Sequence, residues 1–237
     1  MRILTVILPA CLAVLAACAS DSFLQPAAMR RPPELARSEP VTITGIGGGN
    51  RGSYAVAGHS GSFRRSEQRL VFFDVLDNRS GTTAFTLDGP MISEGISADC
   101  SMRERNITLG VLNFTPKRMS YQCFFESGGL PFPARFELQE VNGGFAGQLN
   151  KYERRGEIAL DRVVLQIRSV HDVQGTPIPM ATPIGYLFYL DDIAVGAVEV
   201  NNPPRLFLAS DDIAVRRAVI AGSLALALFR DPAESAL

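Results

Sequence analysis

The stretch GHSGS at 58–62 is the part of this sequence that comes nearest to a catalytic motif. It approaches Gly-x-Ser-x-Gly, the sharp turn that exposes a nucleophilic serine. Ser60 would attack, His59 would accept its proton, and Asp74 or Asp77 would orient the histidine. The last glycine of the motif is a serine here, and no strand-to-helix context surrounds it. Ser60 and His59 are therefore the best catalytic candidates, while the sequence favours a loop without chemistry.

Two further patterns suggest chemistry but have simpler explanations. The run GIGGGNRG at 45–52 lacks the third glycine of a dinucleotide loop and the Gly-Lys-Ser or Gly-Lys-Thr of a phosphate loop, so we interpret it as a loop or hairpin. The pairs Asp191-Asp192 and Asp211-Asp212 could bind a metal or act as acid and base, but turn and helix-cap roles explain both. With only two histidines in the chain, we expect no metal and no cofactor.

The first residues resemble the signal of a bacterial lipoprotein. Arg2 is followed by the apolar run ILTVILPACLAVLAA, which has the layout of a secretory signal and is too short to cross about 30 Å of hydrocarbon. It ends in Leu15-Ala16-Ala17-Cys18, which resembles the lipobox. The resemblance implies removal of residues 1–17 and acylation of Cys18, for example with palmitate. An ordinary secretory signal with an incidental cysteine is the alternative.

The residues after the lipobox also bear on where in the cell the protein is located. In lipoproteins the residues after the cysteine help to sort the protein, and Ala19 and Ser20, rather than an acidic residue, imply the outer membrane. Several acyl chains anchor a protein stably, whereas one binds only marginally. We therefore expect an outer-membrane lipoprotein that faces the periplasm and is held to the membrane through acylated Cys18.

Cysteine usage agrees with export. Cys11 lies in the signal and Cys18 would carry lipid, which leaves Cys100 and Cys123 as one possible disulfide in an oxidising compartment. Closing that loop would contribute roughly 3 kcal/mol of stability. A metal or redox pair is the alternative, but no Cys-x-x-Cys occurs and both histidines are distant in sequence.

Charge bears on the class of partner. The net charge is −1, and the sequence contains no clustered excess of basic residues. We therefore expect that the protein does not bind nucleic acid. Small basic groups occur along the chain and are most simply solvated strand ends and turns. On one side of the domain they could together bind an anionic envelope polymer or a lipid headgroup. They are Arg64-Arg65, Arg103 with Arg105, Lys117-Arg118 and Arg154-Arg155.

The mature chain divides into a linker and one domain. Residues 18–40 contain four prolines and no sustained periodicity, which predicts a flexible tether that spans roughly 70 Å when extended. A short helix docked within 29–36 is the alternative. Residues 41–237 contain many short apolar segments separated by Gly, Asn, Asp and Pro, which predicts a single domain of about ten to twelve antiparallel strands, as a barrel or a sandwich.

Several strands can be placed from their pattern. Alternating apolar residues at 119–125 and 134–138 predict half-buried strands, and VNGGF at 141–145 predicts a hairpin turn. A shift of apolar phase predicts a β-bulge near Asp161-Arg162, and Asp191-Asp192 is expected to form a turn. The further predicted strands are 68–76, 82–88, 106–114, 185–190 and 193–200.

The chain ends in a different pattern. Residues 211–229 predict a helix capped by an aspartate, and from 218 onward it carries no charge, which is typical of a buried helix. A second contact with the membrane is the alternative, although twelve residues cannot span it. Many antiparallel strands followed by the run RRAVIAGSLALALF resemble a tubby-like barrel, which implies strands wrapped around the helix. The resemblance transfers no binding residues, and the domain lacks a strong basic patch.

Three functions follow from these patterns. The first is a noncatalytic, lipid-anchored envelope protein whose β-rich domain contacts a protein partner in the periplasm. The second is a binding module for an apolar or anionic envelope ligand, which a helix filling the interior would disfavour. The third is a serine hydrolase that uses Ser60, which requires a histidine and an acid within hydrogen-bond reach.

Overall fold

Twelve antiparallel strands and one carboxy-terminal helix form the domain. The structure is a computed structural model that describes residues 27–72, 76–90, 92–109, 112–141 and 152–231. The expected α+β class, mainly antiparallel β with a buried helix, is confirmed. The elements are a short 3₁₀ helix Pro33–Leu35, β1 Val41–Thr42, β2 Arg51–Val56, β3 His59–Phe72, β4 Leu76–Leu87, β5 Ile96–Leu109, β6 Leu112–Ser127, β7 Leu130–Glu140, β8 Arg154–Leu160, β9 Val163–Val170, β10 Gly185–Leu190, β11 Ile193–Glu199, β12 Arg205–Leu208 and α1 Ile213–Leu228.

The strands curl into a nearly closed barrel. Neighbours in the sheet are neighbours in sequence from β2 to β12, and β1 adds to the outer side of β12. Just after β1, Thr44 makes an isolated antiparallel bridge to Ala55 on β2, which brings the two edges together. The two hydrogen bonds of this bridge, at 3.0 and 3.1 Å, pair backbone groups of the two edges.

Helix α1 occupies the interior of the barrel. It begins after Asp212, whose carboxylate accepts hydrogen bonds from the amides of Ala214 (2.8 Å) and Val215 (3.0 Å). The residues from Ala218 to Leu228 are buried among side chains from strands around the barrel. Gly222 allows close approach, because a Cβ there would lie 2.7 Å from the Phe188 ring. Within the described residues no helix has both the length and the apolar character needed to cross a bilayer.

The barrel has two different ends, which we call the mouth and the base. The mouth is the end where β3, β5, β7, β9 and β11 finish and where α1 finishes; the base carries the turns at 57–58, 161–162 and 191–192 and the start of α1. Four neighbouring strands, β3 to β6, are 12 to 16 residues long, whereas β10 to β12 are 4 to 7. The long hairpins therefore extend beyond the mouth.

Some predicted boundaries were wrong. Predicted strands 68–76 and 106–114 each run across the junction of two strands, β3 with β4 and β5 with β6. The expected β-bulge at Asp161-Arg162 is a two-residue turn between β8 and β9, with Asp161 at φ 55°. A turn of two residues reverses the chain and shifts the apolar phase just as a bulge would. The predicted hairpin turn at Asn142-Gly143 lies outside the described residues.

Part of the expected tether is packed on the barrel. We call residues 27–36 the amino-terminal arm. Met29 and Leu35 are completely buried in a small apolar cluster on the outer face of β9 to β12. The amide of Met29 donates to a carboxylate oxygen of Glu199 at 2.9 Å, and the amide of Arg30 donates to the carbonyl of Asp172 at 2.8 Å. From Met29 onward the chain is therefore docked, because two apolar side chains lose contact with water.

Cys100 and Cys123 form a disulfide. They face each other on β5 and β6 with their Cα atoms 3.9 Å apart, and both side chains are buried. The pairing expected from the cysteine count is therefore present in the structure. It joins two strands that already share a long hydrogen-bonded register, so it reinforces the hairpin that extends beyond the mouth.

Candidate functional site

The predicted catalytic pair does not assemble. Ser60 is exposed near the start of β3, at the base, and its backbone pairs with Asp88. His59 points to the opposite face, is 2% exposed, and its Nδ1 contacts the carbonyl oxygen of Ala57 at 3.1 Å. Asp77 lies at the far end of β4 and binds arginines, and Asp74 lies outside the described residues. Adjacent strand residues face opposite ways, which separates the serine from the histidine.

The carboxylate pairs have structural roles. Asp191 and Asp192 form the β10–β11 turn with positive φ of 48° and 63°, which aspartate tolerates better than most residues. Asp212 caps α1. Within the described ranges, no three His, Cys, Asp or Glu side chains cluster as metal ligands.

A cavity of about 440 Å³ lies at the mouth. The glycine-rich run forms one wall and leads into strand β2 rather than a helix, which agrees with the loop interpretation. Arg65 donates to the carbonyls of Gly47 and Gly49, and Arg230 donates to the carbonyl of Gly48 at 2.6 Å. The two arginines thus fix the loop over the end of α1. Burial, together with the neighbouring Arg230, lowers the pKa of Arg65 from its ordinary value.

A buried ion cluster lies beside this cavity, and the interpretation of Arg154 as a solvated strand end was wrong. Arg154 is 1% exposed and donates to Glu140 at 2.6 Å and to Asp231 at 2.9 Å. Burial opposes the charged guanidinium, but the two carboxylates outweigh it and hold the pKa of Arg154 above its ordinary value. Glu140 ends β7 and Asp231 follows α1, so the cluster ties the helix end to the barrel wall. No motif marks three residues so far apart in sequence.

The serine that contacts a histidine is Ser169, not Ser60. Its Oγ lies 3.1 Å from His171 Nε2, and His171 Nδ1 lies 3.0 Å from the carbonyl oxygen of Met180. The same Oγ accepts a hydrogen bond from the amide of Arg154 at 3.0 Å. These contacts link the ends of β8 and β9 to the segment before β10. Together these hydrogen bonds satisfy the polar groups of Ser169 and His171 at the mouth.

Comparison of this chain with protein-family models, curated proteins and solved structures finds no match. The function is therefore argued from the residues and their geometry.

Proposed function

We propose that this chain is a noncatalytic lipoprotein of the bacterial outer membrane, held by acylated Cys18, whose barrel contacts a protein partner in the periplasm. The observation that carries the proposal is the docking of the amino-terminal arm on the outer face of the barrel, with Met29 beside Gly185 at the mouth. Met29 follows the lipobox cysteine by only 11 residues, which reach about 35 Å at 3.1 Å per residue. An acyl group on Cys18 would thus keep the mouth close to the membrane.

The geometry supports this function over the other two. A ligand module that encloses an apolar molecule needs interior space, and α1 occupies the interior. A hydrolase that uses Ser60 needs a base, and the side chain of His59 lies on the other face of β3. A module for an anionic ligand is the second candidate, because the mouth cavity contains Arg65 and Arg230.

The anchor is tested by acyl labelling. In cells that process lipoproteins, the native chain should incorporate labelled palmitate and Cys18→Ala should not, because the acyl chains are attached at that residue. Cys11→Ala is the matched control, since it removes a cysteine from the same signal and should keep the label. Equal label in Cys18→Ala and the native chain would exclude the anchor.

A further inference from the structure

The outer wall of the barrel contains a groove across β2 to β5. Two neighbouring cavities of about 560 and 290 Å³ form it, and both are lined by Arg64, Ala84 and Asp99. These three residues lie in one row, because Arg64 pairs with Ala84 and Ala84 pairs with Asp99. The short side chain of Ala84 leaves the floor of the groove open between the two longer ones. We call this surface the outer groove, and its volume is in the range of small-molecule sites.

Two arginines face each other at one end of the outer groove. Arg51 on β2 pairs directly with Arg64 on β3, and both side chains are exposed. Residues opposed in this way have their Cβ atoms about 4.5–5.5 Å apart, where like charges destabilise a sheet. Within the described part of the chain, neither guanidinium forms an ion pair or a side-chain hydrogen bond. An anion placed between the two charges would remove their repulsion.

The acid in the groove is too distant to neutralise this pair. Asp99 is the one carboxylate among the described residues that line the outer groove. It lies two strands from Arg64, which is about 10 Å at the usual spacing of strands. That distance exceeds the screening length of about 8 Å at physiological ionic strength. Arg135, further along the same row on β7, shows the contrast, because it pairs with Glu157 at 2.9 Å.

Hydroxyl groups lie on both sides of the arginine pair. The side-chain oxygens of Ser66 and Thr82 are 2.7 Å apart, and those of Ser62 and Thr86 are 3.3 Å apart. Ser66 and Ser62 each lie two residues from Arg64 along β3, which is about 7 Å. A hydroxyl has one donor and two acceptor lone pairs, so each pair keeps capacity for further hydrogen bonds. The groove therefore combines a site for an anion with flanking sites for neutral polar groups.

We propose that the outer groove binds a saccharide that carries a phosphate monoester. The phosphate lies between Arg51 and Arg64, and the sugar hydroxyls exchange hydrogen bonds with the serines and threonines on either side. A phosphate monoester has a charge of about −1.5 to −2 at pH 7 and three acceptor oxygens, which match two guanidiniums. A carboxylate has a single charge and two oxygens, which match one. This inference goes beyond the proposed function and does not depend on acylation of Cys18.

Glucose 1-phosphate is the probe for this site. Calorimetric titration of the full chain measures its dissociation constant, and NMR shifts of the amides of Arg51 and Arg64 locate the binding. We expect Arg51→Gln and Arg64→Gln each to weaken binding at least about tenfold, because each removes one of two guanidiniums that hold the phosphate. Arg135→Gln is the matched control, since Arg135 is exposed in the same row but is paired with Glu157, and it should change the constant by less than about twofold.

Unfolding midpoints separate lost binding from lost structure. Arg51→Gln and Arg64→Gln should keep or raise the midpoint, because each removes a repulsion between opposed like charges. If either variant does not fold, Arg64→Lys replaces it. That variant keeps the charge but loses the planar fork, so it should also weaken binding.

Two other probes test the chemistry of the ligand. Glucuronate has a carboxylate in place of the phosphate and should bind at least about tenfold more weakly than glucose 1-phosphate. Inorganic phosphate should also bind more weakly, because it leaves the flanking hydroxyls unused. Equal affinity for inorganic phosphate and glucose 1-phosphate overturns the saccharide, and equal affinity for glucuronate overturns the phosphate.

The remaining outcomes decide the site and its source of ligand. No binding of glucose 1-phosphate, or binding that Arg51→Gln and Arg64→Gln leave unchanged, overturns the site. Vesicles of phosphatidic acid that displace glucose 1-phosphate from the native chain identify a lipid headgroup as the ligand and overturn the saccharide. Cys18→Ala should bind glucose 1-phosphate as the native chain does, so failure of the anchor leaves this result unchanged.

Discussion

At the scale of single residues, the mouth is organised by Arg154. Burying a cation between two carboxylates requires removing all three charges from water, which is unfavourable. Removing one member of such a cluster, however, leaves a buried charge without a partner, which costs about 3–5 kcal/mol of stability. Arg154 joins Glu140 on the barrel wall to Asp231 just after α1. The cluster therefore fixes where the helix ends relative to the sheet, beside the cavity.

Glu140 should make stability depend on pH. Burial, only partly offset by Arg154, raises the pKa of Glu140 above its ordinary value. The folded state then binds the proton more tightly than the unfolded state. The stabilisation is full below the unfolded pKa of about 4.3 and is lost as pH rises through the raised folded pKa. The unfolding free energy of the native chain, minus that of Glu140→Gln, should therefore fall as pH increases above about 4.3.

Urea titrations from acid to neutral pH measure this difference. Glu157→Gln is the control, because Glu157 pairs with Arg135 at the surface, is 44% exposed, and should change stability by less than about 1 kcal/mol at any pH. A difference for Glu140→Gln that stays constant or widens with pH would contradict the raised pKa.

At the scale of elements, the helix was predictable and the long hairpins were not. Predicted helix 211–229 is α1 from 213 to 228, because a capping aspartate and an uncharged run are local signals. The β3–β4 junction lies within VFFDVL at 71–76, in which every residue except Asp74 is apolar. An apolar pattern that continues through a junction hides it from periodicity.

Truncation of α1 should test how completely the barrel encloses it. Leu224 is completely buried, and Leu224→Ala should lower the unfolding free energy by about 2–5 kcal/mol through lost burial and a cavity. Ile213→Ala, at the first turn of the same helix and 62% exposed, should cost less than about 1 kcal/mol. Equal midpoints for the two variants in thermal or urea unfolding would show that α1 is not enclosed.

At the scale of the whole molecule, closure and the mouth depend on contacts between distant parts of the chain. Thr44 meets Ala55 to close the barrel, and Arg154 meets Asp231 across a sequence separation of 77 residues. Local patterns predicted most of the strands and the helix but could not pair such residues. The candidate catalytic residues failed for a related reason, since His59 and Ser60 are adjacent in sequence but face opposite sides of one strand. The docked arm was predicted only as the alternative to a flexible tether, because the prolines around Met29 are typical of a linker.

The docked arm makes a prediction for the assembled protein. The amide of Arg30 donates to Asp172, and the amide of Gln174 donates to Ala28, both at 2.8 Å. Both should be protected from hydrogen exchange, because exchange requires the arm to detach. Met29→Ala removes a completely buried side chain and should weaken docking by about 2–5 kcal/mol, so these two amides should exchange faster while those of β9 and β10 stay protected.

Met180→Ala provides the comparison, because Met180 lies in the adjoining segment and is 45% exposed, so its loss should leave the arm docked. If the amides of Arg30 and Gln174 are not protected in the native chain, the arm is not docked, and the prediction of a flexible tether over 18–40 would hold. In the proposed lipoprotein, the reach from Cys18 would then approach the roughly 70 Å of a fully extended linker, and the mouth would no longer be held near the membrane. If Cys18 is acylated as we propose, the exchange rates of these two amides therefore decide whether the barrel would lie against the bilayer or away from it.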